Sequence, residues 1–163
     1  MKSKTKHEKS ESKRGDAAPA SPTAVVTLKH LKWGWWSLLV FLTVGIFLET
    51  LHGFKVGAYL DVPNATRRMM WTLAHAHGTL LSLMHIAFAV TIPHLKAGSL
   101  KSIKAISNSL IGASILMPGG FFLGGAFIYG GDPGLGIFLL PIGAFMLFIG
   151  VFFTAKQLPS KSQ

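Results

Sequence analysis

Polar and apolar residues are segregated along this chain into long blocks, not into the short periods of strands or surface helices. Four stretches, about 33–53, 68–93, 102–129 and 134–156, carry few or no charges. Each reaches the roughly 20 residues that an α-helix needs to cross about 30 Å of hydrocarbon. Backbone polar groups inside a bilayer must find partners within their own segment, so such blocks span as helices. The pattern predicts an all-α fold, a four-helix transmembrane bundle over residues 25–158. Residues 1–24 are polar, charged and rich in Ser, Lys, Ala and Pro, the composition of a disordered basic tail. Residues 159–163 form a second, short tail.

Charge adds an orientation. Of the sixteen Lys and Arg, eight lie in residues 1–32. Lys96, Lys101 and Lys104 lie in the loop after the second block, and Lys156 and Lys161 at the C-terminal end. Only Lys55, Arg67 and Arg68 fall on the other side. Basic residues concentrate in cytoplasmic loops, so both termini are expected in the cytoplasm of a multi-pass protein of bacterial inner-membrane type. Trp33, Trp35 and Trp36 beside Lys29 and Lys32 read as an interfacial belt. The net charge of +10 is then a matter of topology and anionic lipid, with no nucleic-acid partner. The expected partners are the lipid bilayer and other membrane subunits or further copies of the chain. With no cysteine there is no disulfide, iron–sulfur cluster or covalent c-type haem.

The third block contains Pro118, Gly119, Gly120, Gly124 and Gly125, and the fourth Gly136, Pro141, Gly143 and Gly150. Gly120 and Gly124 form a GxxxG pair, which predicts close packing on a neighbour. Asn64-Ala65-Thr66 has the form of a glycosylation sequon, but Asn64 sits where the second helix needs an N-cap.

Ionisable side chains inside spanning helices are costly and mark candidate chemistry. The first helix has Glu49 and His52, the second His75, His77 and His85. His30 and His94 read as interfacial. On a helical wheel Arg68, Trp71, His75, Gly78 and Ser82 form one stripe with His85 at its edge. His77 points about 160° away from His75, among Met70, Leu73, Leu81 and Met84. Three uses stay open. The groups hydrogen-bond one another and hold the bundle. Or His52, His75 and His77 bind haem or another metal, since haem needs only one or two axial ligands from facing helices and imidazole is the commonest ligand. Or Glu49 and His85 belong to the proton relay of a small proton-coupled transporter.

The stretch "TLAHAHGTLLSL", residues 72–83, resembles the His-x-His helix of haem–copper oxidase catalytic subunits and their nitric oxide reductase relatives. In that family the pair faces two haems on opposite sides of one helix. The resemblance implies axial-ligand roles for His75 and His77, and makes Arg67 and Arg68 similar to the paired arginines beside haem propionates. The family's catalytic subunit has many more helices and a three-histidine copper site on them, whereas the last two helices here have no histidine. What the resemblance implies is a small b-type haem-binding relative or accessory subunit of a membrane redox complex, not a stand-alone enzyme. A cofactor-free accessory or structural subunit is the alternative.

Overall fold

The computed structural model describes residues 21–96 and 100–159. Most of the expected N-terminal tail and most of the C-terminal one lie outside the described residues. The described residues form five helices: α1 (Pro22–Gly53), the short α2 (Gly57–Leu60), α3 (Ala65–Thr91), α4 (Leu100–Ala126) and α5 (Leu139–Gln157). Single turns of 3₁₀ helix occupy Val62–Asn64, Ile92–His94 and Leu135–Phe138. Among the described residues there is no strand. Four helices are long and apolar enough to cross a membrane, the architecture of a multi-pass membrane protein.

α1 begins well before the apolar block at residue 33. Ser21 Oγ accepts the amide N–H of Ala24 at 3.2 Å, and Pro22 occupies the first turn. An N-cap serine followed by proline is a strong helix start, so residues 22–24, expected in the tail, are helical. At 32 residues α1 is about 48 Å long, and it exceeds the hydrocarbon thickness unless tilted. Asn64 does stand at the N-cap of α3, but its side chain makes no capping bond and accepts from Arg67 instead.

The long helices pack in chain order as a row, α1 on α3, α3 on α4, and α4 on α5. Burial follows this order: 39% of the apolar windows of α3 and α4 are buried, against 17% for α1 and 11% for α5. Successive long helices run antiparallel, so the row has a terminal end, where α1 starts and α5 ends, and a distal end with the α1–α3 and α4–α5 connections. An apolar core cluster lies at the terminal end and joins Val26, Phe88, Ile92, Ile103, Ile106 and Leu110. Side chains such as Ile46, Phe145 and Phe148 stay exposed and suit contact with lipid.

Glycines set the α4–α5 contact. A Cβ on Gly120 would stand 2.9 Å from the Gly136 carbonyl oxygen, and one on Gly150 would stand 2.7 Å from Leu110 Cδ2. Gly124, the other half of the expected pair, is looser, with its nearest atoms at 3.7 Å. The tighter glycine on that turn is Gly125, where an added Cβ would stand 2.7 Å from the Trp71 ring. Beyond α4 the chain reverses at Gly130 and Gly131, with φ of 58° and 94°. Tyr129 and Asp132 close the turn with two backbone bonds. Pro118 is buried within α4. One turn earlier the Ser114 hydroxyl accepts the Trp33 Nε1–H at 3.1 Å and so ties α4 to α1.

Candidate functional site

At the distal end α1 and α3 part to form a cleft of about 220 Å³, lined by Gly45, Leu48, Glu49, His52, Tyr59, Thr72 and His75. Two glycines let the helices mesh. Gly45 leaves the space that the His75 ring fills, and Gly78 leaves the space for the Phe41 ring. His75 Nδ1 lies 2.7 Å from the Phe41 carbonyl oxygen. A carbonyl can only accept, so Nδ1 carries the proton, and in the neutral ring Nε2 is left with its lone pair. Glu49 and His52 are exposed at the rim of the same cleft. Three of the sequence candidates, Glu49, His52 and His75, thus share one cavity.

His77 stands apart. Its ring packs on Phe121 of α4 at 4.7 Å, and its Nδ1–H donates to the Leu73 carbonyl at 2.9 Å. It has the same tautomer as His75 on a different face of α3. His52, His75 and His77 do not form one metal site: among the described residues no three His, Cys, Asp or Glu side chains are grouped to hold an ion.

The arginines have partners within the chain. Arg67 Nε donates to the Gly125 carbonyl at 3.1 Å and its Nη1 to Asn64 Oδ1 at 2.8 Å. Arg68 Nη1 donates to the carbonyls of Tyr59 and Asp61 at 2.9 and 3.0 Å. A pair of cations opening a helix opposes its dipole. Here they satisfy carbonyls near the ends of α4 and α2, which helices leave unpaired.

His85 lies away from Glu49 and the distal cleft. It lies ten residues beyond His75, about 15 Å along α3, buried at the terminal end and 1% exposed. Its Nδ1 is 2.7 Å from Nδ1 of His30, and His30 Nε2 is 2.8 Å from Ser107 Oγ. Phe88 packs edge-on against His30 and Trp33 edge-on against His85. This chain of three side chains joins α1, α3 and α4. His30, read from the sequence as interfacial, is wholly buried. A signal for it was present, because His30, Gly34, Phe41, Gly45, Leu48 and His52 fall within about 60° on the helical wheel. That stripe, in which histidines and glycines recur, is the face α1 turns to α3. No protein-family model, no curated protein and no solved structure matches this chain.

Proposed function

We propose that the chain is a small haem-binding subunit of a membrane redox complex, with His75 as ligand in the distal cleft and His52 at its rim. The observation that carries this reading is the tautomer of His75. Ligating histidines characteristically donate the other ring N–H to a carbonyl or carboxylate, which fixes the ring and raises the basicity of the ligating nitrogen. His75 is held in that way by Phe41. A metal held by side chains alone needs three or four donors, which the described residues do not bring together. Iron in a porphyrin needs one or two. The cleft is smaller than the roughly 300–1,000 Å³ of pockets that enclose a drug-sized ligand, so a haem here would extend past α1 and α3 and be covered by another subunit. Arg68 commits only Nη1 to carbonyls and keeps N–H groups for a propionate. When bound, such a group supplies one-electron transfer.

The test is the visible spectrum of the full chain purified from a haem-replete host, before and after reduction. The expected result is a Soret band that His75→Ala abolishes and His77→Ala leaves in place. Partial loss in His77→Ala would add a second haem on the Phe121 face. Folded protein with neither Soret band nor metal would overturn the reading. A cofactor-free accessory subunit would then stand, favoured by the fact that His75, His77 and His85 each already have a hydrogen bond within the chain.

We also propose that the terminal end faces the cytoplasm, on the imbalance of thirteen basic residues against three. Reporter fusions at Asp61 and Asp132 should both report the outside. A cytoplasmic signal from either reverses the orientation.

A further inference from the structure

The outer side of α1 carries a groove of about 460 Å³, lined by Lys29, Lys32, Trp33, Trp36, Ser37 and Val40. It lies at the terminal end and has no part in the distal cleft. We propose that it is a binding site for an anionic phospholipid, with the phosphate held by Lys29 and Lys32 and one acyl chain laid along Trp33, Trp36 and Val40. Nothing in this depends on a haem, or on which side of the membrane the terminal end faces.

Helical periodicity builds the groove. At 100° per residue Lys29, Trp36 and Val40 fall within about 40° of one another, with Lys32 on one side and Trp33 and Ser37 on the other. The stripe points more than roughly 100° away from the face that α1 turns to α3. Its chemistry changes in one direction, from ammonium groups through indole rings to an aliphatic side chain. A phospholipid changes in the same order, from phosphate through ester linkages to hydrocarbon. The lengths agree as well. From Lys29 to Val40 the helix rises about 16 Å, and one leaflet contributes half of the roughly 30 Å of hydrocarbon.

Three observations separate this groove from an ordinary interfacial belt. One wall is fixed: the Trp33 Nε1–H is spent on Ser114 Oγ at 3.1 Å, and its ring stands edge-on to His85. The Ser37 hydroxyl is likewise turned back, onto the Trp33 carbonyl at 2.6 Å, which leaves the deeper half of the groove apolar. The donors at the mouth are uncommitted. Lys29 and Lys32 are exposed and make no hydrogen bond or ion pair among the described residues, and the Trp36 Nε1–H has no acceptor among them. Charge then selects the occupant. At the terminal end the described residues include Lys29, Lys32, Lys96, Lys101, Lys104 and Lys156 and no carboxylate, since Glu49, Asp61 and Asp132 all lie at the distal end. Basic residues at a bilayer surface draw anionic lipid, whereas a zwitterionic headgroup would bring its own cation against two others.

The experiment is tryptophan fluorescence of the full chain in nanodiscs of equal parts phosphatidylglycerol and phosphatidylcholine, with bromine on the acyl chains of one lipid or the other. Bromine quenches the indoles it touches. The expected result is stronger quenching when phosphatidylglycerol carries the bromine. Lys29→Gln combined with Lys32→Gln should remove that surplus, because the preference falls roughly fivefold for each basic residue lost. Lys104→Gln combined with Lys156→Gln takes the same charge from elsewhere at the terminal end and should keep it. Trp36→Phe, which deletes a ring 68% exposed over the groove, should remove most of the surplus. Equal quenching by the two lipids in the parent would overturn the proposal. So would equal loss in the two double variants, the mark of general charge attraction. A surplus undiminished in Trp36→Phe would place the lipid elsewhere and overturn it too.

Discussion

His30→Ala should destabilise the folded chain by on the order of 3–5 kcal/mol, the largest loss expected of any single histidine. Two costs add. Truncating a large buried side chain leaves a cavity worth about 2–5 kcal/mol. Stripping partners from buried polar atoms costs about 1–3 kcal/mol each, and here His85 Nδ1 and Ser107 Oγ lose theirs together. Hydrogen bonds between membrane helices are worth less on average, roughly 0.6 kcal/mol, which places the estimate below the simple sum. His30→Asn keeps a polar group near Nδ1 and should recover part of the loss. Thermal melting in detergent measures both. An alanine variant that melts within about 0.5 kcal/mol of the parent, the range of ordinary surface changes, would mean that the cluster does not hold the three helices.

Gly45→Leu should cost about 3 kcal/mol and detach the distal cleft. A Cβ at this position overlaps the His75 ring, and overpacking a close contact costs about 1–3 kcal/mol, occasionally more. The ring cannot withdraw cheaply, since doing so breaks its bond to Phe41. Removing the ring makes room, so Gly45→Leu combined with His75→Ala should be less damaged than the two single losses predict. Contacting residues give such coupling of about 0.5–3 kcal/mol. Gly53→Leu is the control, because a Cβ there meets nothing within 4 Å. Additive losses at Gly45 and His75 would show that the ring does not occupy the space above the glycine.

The spans were legible from the sequence because bilayer thickness sets a length that composition alone can meet. The helix boundaries were less so. The apolar run starts at Trp33, yet Ser21 and Pro22 begin the helix, a local signal that the hydrophobic pattern outweighs. The separate faces of His75 and His77 follow from helical geometry. The partner of each face does not, since a wheel gives directions and not neighbours. His30 shows the difficulty most plainly. Its setting between Lys29 and Lys32 resembles an interface, and its burial depends on α1 continuing past the apolar block to meet α3 and α4. The arginine pair suggested an absent anion. The carbonyls that meet it come from two other segments, which sequence proximity does not reveal.

The row of helices follows the order of synthesis, and this bears on how the protein is made. From α3 onward, each long helix leaving the ribosome can dock on the long helix inserted just before it. Two side chains of α1 are exceptions: Trp33, whose partner Ser114 comes 81 residues later, and His30. Its first partner arrives 55 residues later, and its second only after 77. Until α4 is in place, a ring nitrogen of His30 faces hydrocarbon unmatched, at the cost any orphaned polar group bears in a bilayer. The half-built protein thus carries a mark of incompleteness, open to the proteases and chaperones that survey nascent membrane chains, and the insertion of α4 erases it.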